Sequence, residues 1–156
     1  MIMRPILSID PGNTQSGYVV YDGERVTSCG VVPNDEMRAH AAAWDGPMAV
    51  EYIAGMGMAV GQEVFDTCVF IGRLLEVHER NNAEGAILVR RREVKLHLCG
   101  QSRAKDKNVR IALLDKFGGE KAAKGNKKAP GPLYGVSSHA WSALAVAVTA
   151  AETKLP

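Results

Sequence analysis

Apolar and polar positions along the first third of the chain alternate with the period of two that strands require, and the period then lengthens to a helical one. Residues 3–10 are apolar at Ile6, Leu7 and Ile9 and end in a carboxylate, Asp10, which predicts a first strand. Pro11 and Gly12 turn the chain at once, because proline fixes its own φ and glycine accepts the dihedrals of a tight turn. Residues 16–22 predict a second strand, and Asp22-Gly23 a turn into a third at 25–32. Pro33-Asn34-Asp35 opens a helix at about 35–44, with Asp35 and Glu36 at its electropositive end. Residues 47–53, Pro-Met-Ala-Val-Glu-Tyr-Ile, predict a fourth strand buried on both faces.

The glycine- and methionine-rich stretch 54–61 predicts a mobile loop. A long helix follows at about 62–81, its apolar stripe made of Val64, Phe65, Cys68, Phe70, Ile71, Leu74, Leu75 and Val77. Residues 86–90 predict a fifth strand, about 92–99 a short helix, and about 105–118 a longer one with Val109, Ala112, Leu113 and Phe117 inward and Gly118-Gly119 at its end. Residues 119–135, rich in Gly, Lys and Pro, predict an exposed loop that orders on binding. A last helix at 137–152 is expected to be capped by Ser137 or Ser138 and packed through Trp141, Leu144, Ala145 and Val148. This order is that of an α/β chain with a mixed sheet. A right-handed crossover through helix 35–44 sets the fourth strand beside the first, which brings Asp10 and Glu51 to the same sheet end.

Two readings of Asp10 stand: a carboxylate that caps its turn, or one held rigidly at a strand tip to take a divalent metal. Glu51 lies in an apolar strand, where an unpartnered carboxylate is costly, so it needs a cation or a hydrogen-bond partner. Two carboxylates side by side repel unless a cation lies between them. Oxygen donors with no paired cysteine or histidine favour Mg²⁺ or Mn²⁺.

The length of 156 residues suits one domain with a real core. No apolar stretch approaches the roughly 20 residues of a membrane helix, and the N-terminus lacks a secretory pattern, so a cytoplasmic protein without membrane contact is expected. Cys29, Cys68 and Cys99 are too far apart for a zinc knuckle and are expected as reduced core filler. The net charge of +2 conceals an asymmetry: residues 90–128 carry thirteen Lys/Arg against four Asp/Glu, and the remainder six against thirteen. A basic segment on an acidic body is expected to bind a polyanion.

The run ILSIDPGNTQSGYVVYDG resembles the opening of RuvC-type Holliday-junction resolvases of the RNase H-like superfamily, with the wording of phage and prophage members. MAVEYI resembles that family's second acidic strand, VKLHLCGQSRAKDKNVRIALLDKFG its Val-Lys stretch, glycine loop and basic helix, and GVSSHAWSALAVAV its last helix. The resemblance covers most of the chain, in order. It implies an RNase H-like α/β fold with a mixed five-stranded sheet flanked by helices, one nuclease domain over 1–156 with a DNA-binding segment at 90–128, a homodimer, and metal-dependent nicking of four-way DNA junctions. It assigns catalysis and metal binding to Asp10, Glu51 and His139, with Ser142 as a further ligand and two Mg²⁺ or Mn²⁺ ions per site. Arg90, Arg91, Arg92, Lys95, Arg103, Lys105, Lys107, Arg110, Lys127 and Lys128 are the expected phosphate contacts, and the helix at 62–81 the expected dimer surface.

Two departures qualify this assignment. Ser142 stands where the family has a final aspartate, so the second metal binds weakly or through water, or recruits Asp66 or Asp106, or the site is altered. Ala54 stands where an aromatic wedge is usual, leaving Met56 and Met58 as candidate wedges. The alternatives are a related nuclease acting on RNA, flaps or other branched DNA, and a junction binder without catalysis. An actin-like or sugar-kinase module shares the Asp-x-Gly turn but needs a longer chain.

Overall fold

In the computed structural model, which describes residues 3–156, the alternation within β1 (Ile6–Asp10) decides the layering. Leu7 and Ile9 point to one side, into a core shared with Met37 and Ala41 of α1 (Asn34–Ala43) and with Phe70, Ile71, Leu74 and Val77 of α2 (Gln62–Glu79). Ile6 and Ser8 point to the other side, where α6 (Ala140–Thr153) lies. The same period of two turns Met48 and Val50 of β4 (Met48–Tyr52) toward α1 and α2, and Ala49 toward α6. Asp10 and Glu51 continue the α6-side rows of their two strands. The small residues Ser8 and Ala49 let α6 lie close to the sheet, and the buried Ser8 hydroxyl donates to the Ala143 carbonyl at 2.7 Å.

The sheet order is β3-β2-β1-β4-β5, completed by β2 (Gln15–Tyr21), β3 (Val26–Pro33) and β5 (Ile87–Arg90). The β1–β2 and β2–β3 pairs are antiparallel, and β1–β4 and β4–β5 are parallel. This is the expected mixed five-stranded sheet flanked by helices. α3 (Arg91–Cys99) and α4 (Asp106–Lys116) complete the α6 layer. No helix among the described residues is long and apolar enough to cross a membrane.

Four local expectations are corrected. Residues 119–135 are not structureless: α5 (Glu120–Lys124) and a Gly125–Pro130 bridge form a small lobe with Ala123 and Leu133 fully buried beneath it. Neither Ser137 nor Ser138 caps the last helix by its side chain; the helix starts at Ala140 with His139 at its N-cap, while the carbonyls of Ser137 and Ser138 close the preceding turn. Phe65 and Cys68 of the predicted α2 stripe are exposed, and Thr67 and His78 are buried instead. The three cysteines are free, but none is core: Cys68 is exposed, and Cys29 and Cys99 are half-buried at its margin.

Candidate active site at the β1 and β4 strand ends

The turn after Asp10 is built to hold that carboxylate still. A Cβ at Gly12 would stand 2.3 Å from the Gln15 carbonyl, so only glycine closes the turn so tightly. The Asn34 amide donates to the Gly12 carbonyl at 2.9 Å and its oxygen accepts from the Ser16 hydroxyl at 2.8 Å. β1 and β4 run parallel with Ile9 opposite Val50, so the next residues along, Asp10 and Glu51, emerge side by side. β5 adds the third element: Val89 stands opposite Glu51 and Arg90 opposite Tyr52, so Arg91 begins α3 next to Glu51.

α6 closes the other side. Gly17 is the antiparallel partner of Asp10, and a Cβ there would come within 2.7 Å of the His139 backbone carbonyl. The bare backbone of Gly17 therefore lets the start of α6 rest on β2 beside Asp10. His139 Nδ1 lies 3.5 Å from Asp10 Oδ2. Arg91 bridges two acids, with Nε 3.4 Å from Glu51 Oε1 and Nη2 3.4 Å from Asp106 Oδ1. These side chains and Ser142 line one cleft of about 470 Å³.

The electrostatics separate an inner pair from an outer rim. The Asp10 and Glu51 side chains are each only 16% exposed, whereas His139 is 63% and Asp106 71% exposed. Burial raises the pKa of both inner acids. Glu51 is pushed up to about 8, by burial first, then by its hydrogen bond to Asp10 and the charge of Asp10, with Arg91 pulling the other way. Burial and their mutual proximity thus favour a proton held by the pair at a pH where isolated carboxylates have lost theirs. Two oxygen-donor side chains that ionise together only at a cost unless positive charge is added, with a third acid and an imidazole at the rim and no thiol, suit a hard divalent cation. Among the described residues no three acid, histidine or cysteine side chains are drawn together as a ready cage; the cluster is linked pair by pair, partly through Arg91.

A pH dependence follows. The folded pKa of Glu51 lies above its unfolded value of 4.5, so the folded state holds more protons between pH 4.5 and about 8. Without divalent metal this contribution to stability is fully present below pH 4.5, shrinks as pH rises, and is gone above about 8. At about 1.4 kcal/mol per pH unit over that window the loss is at most roughly 5 kcal/mol. Thermal unfolding in chelator at pH 6 and pH 8.5 is expected to show the lower midpoint at pH 8.5; equal midpoints would contradict the shared proton.

The basic residues divide. Lys95, Lys107 and Arg110 line a second cleft of about 490 Å³ that shares Glu51, Arg91, Asp106, His139 and Ser142 with the first. Arg110 lies over the Trp141 ring at 4.7 Å, and Arg90 over Tyr52 at 5.9 Å. Arg92, Arg103 and Lys105 are exposed nearby in the chain, flanking these elements. Lys127 and Lys128 stand apart from the acids. Their lobe docks where Val26 donates to the Pro132 carbonyl, and Val26 is level with Tyr21 and Ile6, at the opposite sheet end from Asp10. Asp106 is in the acid cluster; Asp66 is outside it, hydrogen-bonded to Gln62 at 3.0 Å. Gly17 was not singled out by sequence, though an isolated glycine inside a strand is the signal of a close backbone approach.

No protein-family model and no curated protein matches the chain. Solved structures do match; among them are Thermus thermophilus RuvC, at TM-score 0.69 and 20% identity over 95% of this chain and 93% of that one, and T. thermophilus RuvC in complex with Holliday junction substrate, at TM-score 0.67 and 20% identity over 94% and 92%. The fold is the one those structures have.

Proposed function

We propose that this chain is a metal-dependent endonuclease that cuts branched DNA, four-way junctions foremost, by phosphodiester hydrolysis. The observation that carries the reading is the desolvated Asp10–Glu51 pair, held at adjacent strand ends on a fold shared with a protein whose structure contains a Holliday junction as substrate. Asp10 and Glu51 are the residues that would hold the cation, Mg²⁺ or Mn²⁺, with His139 and Asp106 at the rim. Asp106 supplies the acid that Ser142 does not, and Ser142 keeps a role as a neutral donor or acceptor to water. A bound divalent cation supplies the positive charge against which the attacking and leaving oxygens become negative. His139, through Nδ1 near Asp10, is placed to orient the attacking water and take its proton. Lys95, Lys107 and Arg110 grip the substrate backbone in the adjoining cleft, with Arg90, Arg92, Arg103 and Lys105 along its margin; the Lys127–Lys128 lobe reaches a more distant stretch of the same DNA.

Phosphate contacts alone do not distinguish a junction from a duplex; two copies related by symmetry do, by presenting two sites to opposite strands. We assign the contact between copies to the outer face of α2, where Phe65 is 55% and Val69 59% exposed although the stripe packed on the sheet is complete without them. Phe65→Glu is expected to shift the protein from dimer to monomer in sedimentation; an unchanged dimer would move the contact elsewhere. Met56 and Met58, 78% and 74% exposed beyond β4, are the candidate wedges at the branch point.

The experiment is cleavage of labelled four-way junction, flap, duplex and RNA, with and without Mg²⁺. Nicking of the junction well above the others, only with metal, is expected. Preference for flap or RNA would favour the related nucleases, and tight junction binding without metal-dependent nicking would favour a non-catalytic binder.

A further inference from the structure

Arg91 is one of ten basic residues expected on phosphates, yet its ion pairs lie inside the acid cluster, 3.4 Å from Glu51 and 3.4 Å from Asp106. The backbone that carries it is fixed. The Arg90 N–H donates to a Glu93 carboxylate oxygen at 2.7 Å, closing the first turn of α3, and the other Glu93 oxygen meets Lys154 Nζ at 2.7 Å. The side chain is 48% exposed, with open cleft on either side. A positive group of the protein's own therefore occupies the space beside Glu51. A divalent cation that takes the same Glu51 oxygen would stand against the guanidinium, and two cations so close repel.

We propose that Arg91 is a displaceable internal counter-ion: it bridges Glu51 and Asp106 in the metal-free chain, yields Glu51 to the divalent cation, and then turns its guanidinium to a backbone phosphate of the bound strand. The inference rests on the nuclease reading above. A long, always charged, planar donor suits both tasks, since it grips carboxylate and phosphate by the same two-point geometry. The two events are linked. DNA that draws Arg91 away from Glu51 raises the affinity for metal, and metal that frees Arg91 raises the affinity for DNA by the same factor. The chain thus loads its metal preferentially on substrate.

The test measures Mn²⁺ binding by titration calorimetry on the full chain without DNA, comparing wild type, Arg91→Met and Asp10→Asn. Arg91→Met is expected to bind Mn²⁺ about fivefold to tenfold more tightly than wild type. It should also gain more thermal midpoint on adding Mn²⁺. Arg91→Lys, which keeps the charge but not the two-point bridge, should fall between them and serves if the Met variant folds poorly. Mn²⁺ affinity equal to or weaker than wild type in Arg91→Met overturns the proposal. On the DNA side, the tightening of junction binding on going from chelator to Ca²⁺ should shrink in Arg91→Met; an undiminished tightening also overturns it. Wild-type Mn²⁺ binding that Asp10→Asn does not weaken overturns the nuclease reading itself. Binding lost in Asp10→Asn but not tightened in Arg91→Met overturns the counter-ion alone.

Discussion

Asp10→Asn is expected to leave a folded protein whose junction nicking in Mg²⁺ falls about 10³-fold or more, read under single-turnover conditions. The substitution keeps shape and hydrogen-bonding capacity while removing the negative charge that the proposed cation would require. It should also relax its neighbour. The hydrogen bond to Asp10 and the charge of Asp10 are two of the causes that raise the Glu51 pKa, after burial. Without that charge Glu51 ionises at lower pH, so the stability difference between pH 6 and pH 8.5 in chelator should narrow. The two readouts separate a lost metal ligand from a damaged fold. Undiminished nicking would remove Asp10 from the chemistry.

Gly17→Ala is expected to cost about 1–3 kcal/mol of stability and to lower nicking by roughly 100-fold, although residue 17 has no side chain to take part in the chemistry. The added methyl meets backbone, not a movable side-chain tip: the His139 carbonyl carbon and oxygen at 2.7 Å and the His139 Cβ at 2.8 Å. Relief requires the first turn of α6 to lift from β2. That lift carries His139 away from Asp10 and strains the Ser8–Ala143 hydrogen bond three residues beyond Ala140. Unfolding midpoints and single-turnover rates on the same samples check it; wild-type values for both would mean that α6 does not depend on the bare strand.

Strands and helices were legible where one strong pattern governed them. The three opening strands, the acid-tipped turn and the pairing of β1 with β4 follow from period-two runs and turn residues, and Asp10 beside Glu51 follows from that pairing. Legibility failed where tertiary contacts choose among apolar residues. Phe65 fits a helical stripe as well as Phe70 does, but only Phe70 faces the sheet; nothing local in the sequence tells one from the other. The α5 lobe was hidden because its composition is that of a loop, while Ala123 and Leu133 bury themselves through contacts far along the chain. Asp106 and Arg91 were visible as residues but not as partners, since their meeting depends on how the starts of α3 and α4 converge at the end of β4.

α6 carries His139 at its N-cap and the half-buried Ser142 in its first turn, and then lies buried almost to its end, from Ala143 through Ala150. A firmly packed helix thus presents the proposed reacting end. The segments proposed above to meet DNA, the 54–61 stretch and the lysine lobe, are peripheral and largely exposed. Changes of target preference can accumulate in those outer segments while bond-breaking geometry stays constant, because the two properties draw on regions that share few neighbours.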